Sequence, residues 1–314
     1  MKREGETGAA LINVLIIVGI LATLATGLFD RLRLAQRLAI NSEAQGLARS
    51  GAHGAEQLLL ARLADPAAAQ TLVGQATALP VPDGSARLAL ADGGICFNLN
   101  SLVVGPRGSH AARPIAVAQF ARLLGLIGVD DEQARRLAAA TADWIDSDDA
   151  TLPGGAEDAA YARAAIPYRT AGALMAEASE WRAVAGVTPA LYAKARPFLC
   201  ALPEADMSRI NVNRLAPAQA PLLAMITGQD VGSARQLIAS RPPRGWASRD
   251  AFWASPALAR VLPPADQLAQ PQVQSQWISY DLAVDVAGSA IRETGLIRLG
   301  APPRIAVRRW GPEE

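Results

Sequence analysis

The chain has 314 residues with 30 basic and 29 acidic side chains, a formal charge of +1 and a sequence pI of about 7.8. That balance argues against the strongly basic domain or stripe of a nucleic-acid-binding protein. With 51% hydrophobic residues there is apolar material for one large or two modest domains.

The first element is a membrane span. Ala9 to Phe29 contains no charged residue, and an apolar run of about 20 residues is what a helix needs to cross a hydrocarbon layer of ~30 Å. A small-residue step, Thr7-Gly8-Ala9-Ala10, precedes the run behind the charged leader Met1 to Glu6. A secretory signal peptide has the opposite order, apolar core first and cleavage site after it. The arrangement resembles the class III, prepilin-type leader. That resemblance implies cleavage after Gly8 by a prepilin peptidase and methylation of the new N-terminal residue, Ala9. Pilins and most pseudopilins carry a glutamate at the fifth mature position, where this chain has Asn13. Asn13 cannot form an ion pair with a neighbouring subunit's terminal amine; its plainer reading is a polar residue in a marginal span. Lys2 and Arg3 on one side face Arg31, Arg33 and Arg37 on the other, so charge bias does not orient the span. The leader resemblance puts the N-terminus inside.

Helical periodicity continues past Phe29 to about Arg62, with Leu32, Ala35, Leu38, Ala39, Leu47, Ala48, Ala55, Leu58 and Leu59 at three- and four-residue steps. Asp65-Pro66 ends this stem. Strand character follows at Ser85 to Ala91 and at Gly94 to Asn100, and Phe97-Asn-Leu-Asn100 returns as Ile210-Asn-Val-Asn213. Each copy ends in an asparagine placed as a helix N-cap. Helical patterns cover Ile115 to Leu126, Glu132 to Trp144, Glu177 to Val184, Pro189 to Phe198, Pro217 to Ile226 and Val231 to Ala239. From Ile278 to Val286 the period switches to a half-buried strand, and weaker strands follow at Ile291 to Leu299 and Arg304 to Val307. Strands flanking a helical block mark that block as an insertion into a helix-plus-sheet domain.

The densest chemistry lies between Asp143 and Asp158. Asp146, Asp148 and Asp149 follow a helix end, and Gly154-Gly155 turns the chain so that Glu157 and Asp158 come back toward them. Calcium takes six to eight hard oxygens in flexible geometry, which such a loop supplies, although the glycine and glutamate spacing is not that of an EF-hand. The alternative is a solvated acidic loop. The segment from Asp130 to Asp206 has 7 basic and 13 acidic residues, and that negative field attracts a cation. Cys96 and Cys200 either pair, if this part lies outside the cytoplasm, or stay separate and buried.

Taken in order, the leader, Asn13, Phe97 to Asn100, Asp143-Trp-Ile-Asp146, Pro153-Gly-Gly-Ala-Glu157, Pro167-Tyr-Arg169, Gly186-Val-Thr-Pro189 and Ile210 to Asn213 resemble the K-type minor pseudopilin of the bacterial type II secretion system. The resemblance implies an α+β fold: an N-terminal transmembrane and stem helix, a pilin-like antiparallel sheet domain and a large inserted α-helical domain. The corresponding boundaries are a leader at 1–8, a span at 9–29, stem and first sheet part at 30–100, an insertion at 101–272 in two lobes (101–209 and 210–272), and closing strands at 273–314. It further implies one or two calcium ions in the insertion, held by Asp146, Asp148, Asp149, Glu157 and Asp158. The expected setting is a single-pass protein of the inner membrane with its soluble domain in the periplasm. There it sits at the pseudopilus tip with the I- and J-type minor pseudopilins, above the major pseudopilin, to start or cap the filament.

Two other function classes compete with this reading. Ile210 to Asn213 followed by helices around Thr227-Gly-Gln-Asp-Val-Gly232 resembles a helix-hairpin-helix DNA-binding module, the runner-up reading. Asp230, however, sits where a phosphate would approach. The only histidines, His53 and His110, lie in no metal-ligand or nucleophile spacing, so no enzyme is expected.

Overall fold

The computed structural model describes residues 4–82, 84–286 and 288–311. The leader residues Met1 to Arg3 lie outside the described residues. Helix α1, Glu4–Leu63, is followed by α2 (Pro66–Leu72), whose first turn is capped by the Asp65 carboxylate accepting from Ala67 N at 2.9 Å. Strands β1 (Ala76–Val81) and β2 (Gly84–Asp92) come next. The middle of the chain carries β3 (Phe97–Asn98), β4 (Val103–Val104), β5 (Ala111–Ala112), α3 (Pro114–Leu126), α4 (Asp131–Ile145), α5 (Asp158–Tyr161), α6 (Pro189–Ala195) and β6 (Leu199–Cys200). It continues with β7 (Ile210–Asn211), α7 (Ala220–Thr227), α8 (Val231–Ala239), α9 (Arg249–Trp253), α10 (Ala265–Leu268) and β8 (Pro271–Gln272). Strands β9 (Trp277–Val286), β10 (Ser289–Arg298) and β11 (Arg304–Trp310) close it.

The chain forms two compact units. The first comprises Met1–Leu58, Ala78–Leu88 and Leu282–Arg292. Here α1 offers small side chains to the strands: Ala48, Ala52 and Ala55 are buried, and a side chain at Gly51 would meet Val81 Cγ1 at 2.9 Å. Close approach of helix and sheet therefore depends on alanine and glycine in the stem. Leu47 and Leu58, read above as part of the apolar stripe, face outward at 51% and 43% exposure. Residues 11 to 40 are exposed along the whole apolar run, and among the described residues one helix is long and apolar enough to cross a membrane.

The second unit comprises Leu59–Thr77, Ala89–Asp281 and Glu293–Glu314. The five-stranded sheet has the order β1-β2-β9-β10-β11, so β2 and β9 are neighbours although the helical block separates them in sequence. Gly93 N donates to Trp277 O at 3.0 Å, which fixes where the block leaves and returns. Phe97–Asn98, placed with the sheet in the sequence reading, instead pairs in parallel with Leu199–Cys200 inside the block.

The block is built twice. In the first lobe α3 and α4 form a hairpin closed by the β3–β6 pair; in the second α7 and α8 form a hairpin closed by the parallel β7–β8 pair, and α3 packs on α7. Residues 123–137 and 223–237 correspond: Leu123, Gly128, Asp130, Ala134, Arg135 and Leu137 recur as Leu223, Gly228, Asp230, Ala234, Arg235 and Leu237. Gly128 and Gly228 both take positive φ (81° and 74°) after the first helix, and Asp130 and Asp230 both cap the second. This duplication escapes a reading by periodicity, because helical spacing is alike in any hairpin; the asparagine motifs and these identities at a constant offset are what announce it.

Those motifs act as clasps rather than as the helix caps expected at Asn100 and Asn213. Asn98 and Asn211 make the local turn, accepting from Asn100 N and Asn213 N at 3.2 and 3.0 Å. The second asparagine of each pair reaches across its lobe. Asn100 donates to Met175 O and Leu202 O and accepts from Met175 N; Asn213 donates to Trp246 O and Val273 O and accepts from Trp246 N. Asn100→Ala should destabilise the folded chain by about 3 kcal/mol or more, since three buried backbone groups lose their partner at roughly 1 to 3 kcal/mol each. Chemical denaturation checks this, and a loss below about 1 kcal/mol would contradict the clasp.

Elsewhere, the helix expected at Glu177 to Val184 is a short 3-10 turn, Ala178–Ala183. Glu180 bends back to bond Ala176 N and Glu177 N, while Trp181 is fully buried and donates its indole N–H to Thr141 Oγ1 at 2.9 Å. The turn carries Trp181 into the core and ends where Val184 goes extended.

Cys96 and Cys200 are joined, with Cα atoms 5.7 Å apart and a sequence separation of 104. The bond lies beside the β3–β6 pair and ties the two ends of the first lobe. Closing so long a loop restricts the unfolded chain, and replacing both cysteines by serine should cost about 2 to 4 kcal/mol. Equal denaturation midpoints for the two proteins would contradict this.

Candidate functional site

The acidic loop is assembled by the end of α4. Asp143 and Asp146 stand three residues apart and so emerge on one helical face, with Trp144 and Ile145 packed into the core around them. Asp143 is fully buried, and its carboxylate accepts the N–H of Ala156 at 2.8 Å and of Leu152 at 3.2 Å. It therefore folds the loop back over the helix end. Gly155 has to be glycine, since a side chain there would coincide with Asp143 Oδ2. Gly154 turns the chain at φ +81°.

This folding buries Asp146 and Glu157, at 3% and 6% exposure. One oxygen of each, Asp146 Oδ1 and Glu157 Oε1, is buried without a hydrogen-bond partner among the described residues. Both carboxyls are pushed up to about 7: burial acts first on each, and then the charges of Asp148, Asp143 and Glu157 on Asp146, and chiefly of Asp143 on Glu157. Two buried carboxylates with open lone pairs and like-charged neighbours lack a counter-charge. The donor set is all hard oxygen, which suits calcium.

The remaining candidates divide. Asp148 accepts from Ala150 N at 2.8 Å, and Asp149 is exposed. Asp158 turns toward another segment, accepting from Thr170 N and Thr170 Oγ1 at 2.9 Å each; these bonds hold its carboxyl below the usual range. Thr170 Oγ1 also lies 3.5 Å from Glu157 Oε2. Among the described residues no three of these carboxylates bring oxygens within 4.8 Å of one another. The loop thus holds Asp146 and Glu157 buried, with Asp148 and Asp149 exposed. Asp143 and Thr170 are the members that sequence reasoning did not assign. The three-residue step from Asp143 to Asp146 was the available sign for the first.

Gly8 and Ala9 fall within the backbone of α1, and Asn13 is exposed on it. At the second hairpin Asp230 occupies the start of α8, accepting from Ser233 N at 2.9 Å and Ser233 Oγ at 2.7 Å. A carboxylate already fills the place a nucleic-acid phosphate would take.

Comparison with known proteins decides the family. Two models, both described as type II secretion system protein K, match residues 95–204 and 210–275, close to the two lobes. Type II secretion system protein K of Pectobacterium carotovorum subsp. carotovorum is 32% identical over 325 residues, covering 98% of both chains. The chain belongs to the type II secretion system protein K family. Protein K of Aeromonas hydrophila and of Klebsiella pneumoniae are 33% and 34% identical, each covering 98% of this chain and 97% of the relative. A chain of the crystal structure of the GspK-GspI-GspJ complex from the enterotoxigenic Escherichia coli type 2 secretion system superposes with a TM-score of 0.67 at 27% identity, covering 90% of this chain and 99% of that one. This protein K is accordingly a minor pseudopilin of type II secretion, a structural component with one N-terminal apolar helix fit for a single-pass anchor.

Proposed function

We propose that this protein K works at the tip of the pseudopilus, starting or capping the filament together with I- and J-type minor pseudopilins, with its soluble part in the periplasm. The observation that carries the reading is the insertion of a duplicated helical block between the neighbouring strands β2 and β9 of a small sheet domain. So large a block obstructs stacking of a further subunit above it. The solved neighbour supports the choice of partners, since it was crystallised as a complex of GspK with GspI and GspJ. Asn13 fits the same position: a subunit with none ahead of it has no terminal amine to neutralise, and a carboxylate at membrane depth would cost about 2.5 to 3.5 kcal/mol.

In this reading Asp146 and Glu157 are the inner ligands of a calcium ion, with Asp148 and Asp149 completing the oxygen set from outside. Bound calcium supplies the missing positive charge and holds the loop to the lobe. The test of the tip reading is co-purification: full-length protein mixed with candidate I- and J-type pseudopilins should yield a stable ternary complex. Elution of the three as separate species would sink it.

A further inference from the structure

The second asparagine clasp borders a cleft of about 530 Å³, within the range of small-molecule sites, roughly 300 to 1,000 Å³. Leu63, Val273 and Leu299 give it apolar surface. Amide side chains such as Gln274 and two arginines, Arg214 and Arg244, supply the polar lining, which contains no acidic residue among the described residues. The two arginines differ in what they have left to give. Arg214 donates to the carbonyls of Val73 and Gln70, and its charge faces the Asp92 carboxylate. Asp92 does not line the cleft; it accepts from Gly94 N, Asn211 Nδ2 and Ser275 Oγ. Arg214 is therefore spent on the fold. Arg244 is exposed and has no hydrogen-bond or ion-pair partner among the described residues.

The backbone that carries Arg244 is nevertheless fixed. Gly245 N donates to Pro242 O at 2.8 Å, closing a tight turn over Pro243 and Arg244, and Gly245 takes φ +75°. A side chain at Gly245 would meet Asn213 at 2.7 Å, and Trp246 N donates to Asn213 Oδ1 at 2.8 Å. The clasp that closes the second lobe thus also seats the turn that carries Arg244. Two successive prolines restrict that turn further, so less chain freedom is lost when the guanidinium takes a ligand.

We propose that this cleft binds a small organic oxyanion, a carboxylate or phosphate head on a short apolar body. The head accepts from Arg244 and from the Gln274 amide, and the body lies against Leu63, Val273 and Leu299. A cation would meet two guanidinium groups and no lining carboxylate to offset them. A neutral molecule leaves the Arg244 charge without a counter-charge, and inorganic phosphate leaves the apolar surface bare. The assignment is independent of the tip reading and of the acidic loop.

The test uses the full chain in phosphatidylcholine nanodiscs, with empty nanodiscs as the blank and phenyl phosphate, phenylacetate and benzylamine as separate probes in saturation-transfer NMR. At least one of the two anions should show saturable transfer, with a Kd about tenfold or more below that of benzylamine. Arg244→Gln should weaken anion binding by about tenfold, and Arg244→Lys, which keeps the charge without the planar fork, should lose less. Melting curves of both variants should match the parent, which separates loss of binding from loss of fold. Saturable transfer from one anion alone would support the site and identify its head group. No saturable transfer from either anion, equal affinity for benzylamine, or binding unchanged by Arg244→Gln would overturn the proposal.

Discussion

Removing calcium from the full-length protein should lower its melting temperature by about 5 to 10 °C. The size follows from linkage: a ligand that binds only the folded state at about a hundredfold excess over Kd adds about 2.7 kcal/mol, and a domain of this size shifts about 2 to 4 °C per kcal/mol. Asp146→Asn and Glu157→Gln should abolish the calcium response. They should leave the melting temperature in chelator equal to or above the parent's, because each removes a buried charge that has no counter-charge until metal arrives. Asp158→Asn should act differently, lowering stability with or without calcium, since Asp158 holds Thr170. A parent melting curve indifferent to chelator would return the loop to a solvated acidic turn.

Gly8→Val should leave the protein at full length in the membrane. The small-residue step before the span is the only feature that would let a peptidase remove the charged leader while keeping the apolar helix, and a branched residue there blocks access to the Gly8–Ala9 bond. The expected result is complete loss of the mature species, read by N-terminal mass spectrometry, with loss of secretion as its consequence. The parent should begin at methylated Ala9. A parent protein that retains Met1 in the membrane would remove the pilin-type anchor from this account.

The long-range pattern of the fold was legible wherever one residue spacing dominates. Ile278 to Val286 alternates buried and open positions along β9 as its apolar residues require, and the helices from Pro114, Asp131, Ala220 and Val231 follow their three- and four-residue steps. Strand β1 was not legible. Its sequence, Ala-Thr-Ala-Leu-Pro-Val, lacks alternation and contains Pro80, which is tolerated because β1 lies at the edge of the sheet. The asparagine motifs were visible as a repeat, but their partners, Met175 and Trp246, stand 75 and 33 residues away, and no local rule reaches that far. The same limit governs the acidic loop. Composition located it, whereas the division between Asp143 as anchor, Asp146 and Glu157 as buried carboxyls, and Asp158 as a support for Thr170 depends on how the chain turns at Gly154 and Gly155.

The hydrogen bond from Gly93 to Trp277 means that the helical block enters and leaves through one narrow doorway. A segment hung in this way behaves as a cassette. A tight turn joining the end of β2 to the start of β9 would turn the two strands into an ordinary hairpin, and what the sheet would lose is the set of ties β10 and β11 make to the cassette, Arg298 to Glu204 and Arg309 to Glu177. The matched residues around Gly128 and Gly228 show one hairpin built twice within this passenger.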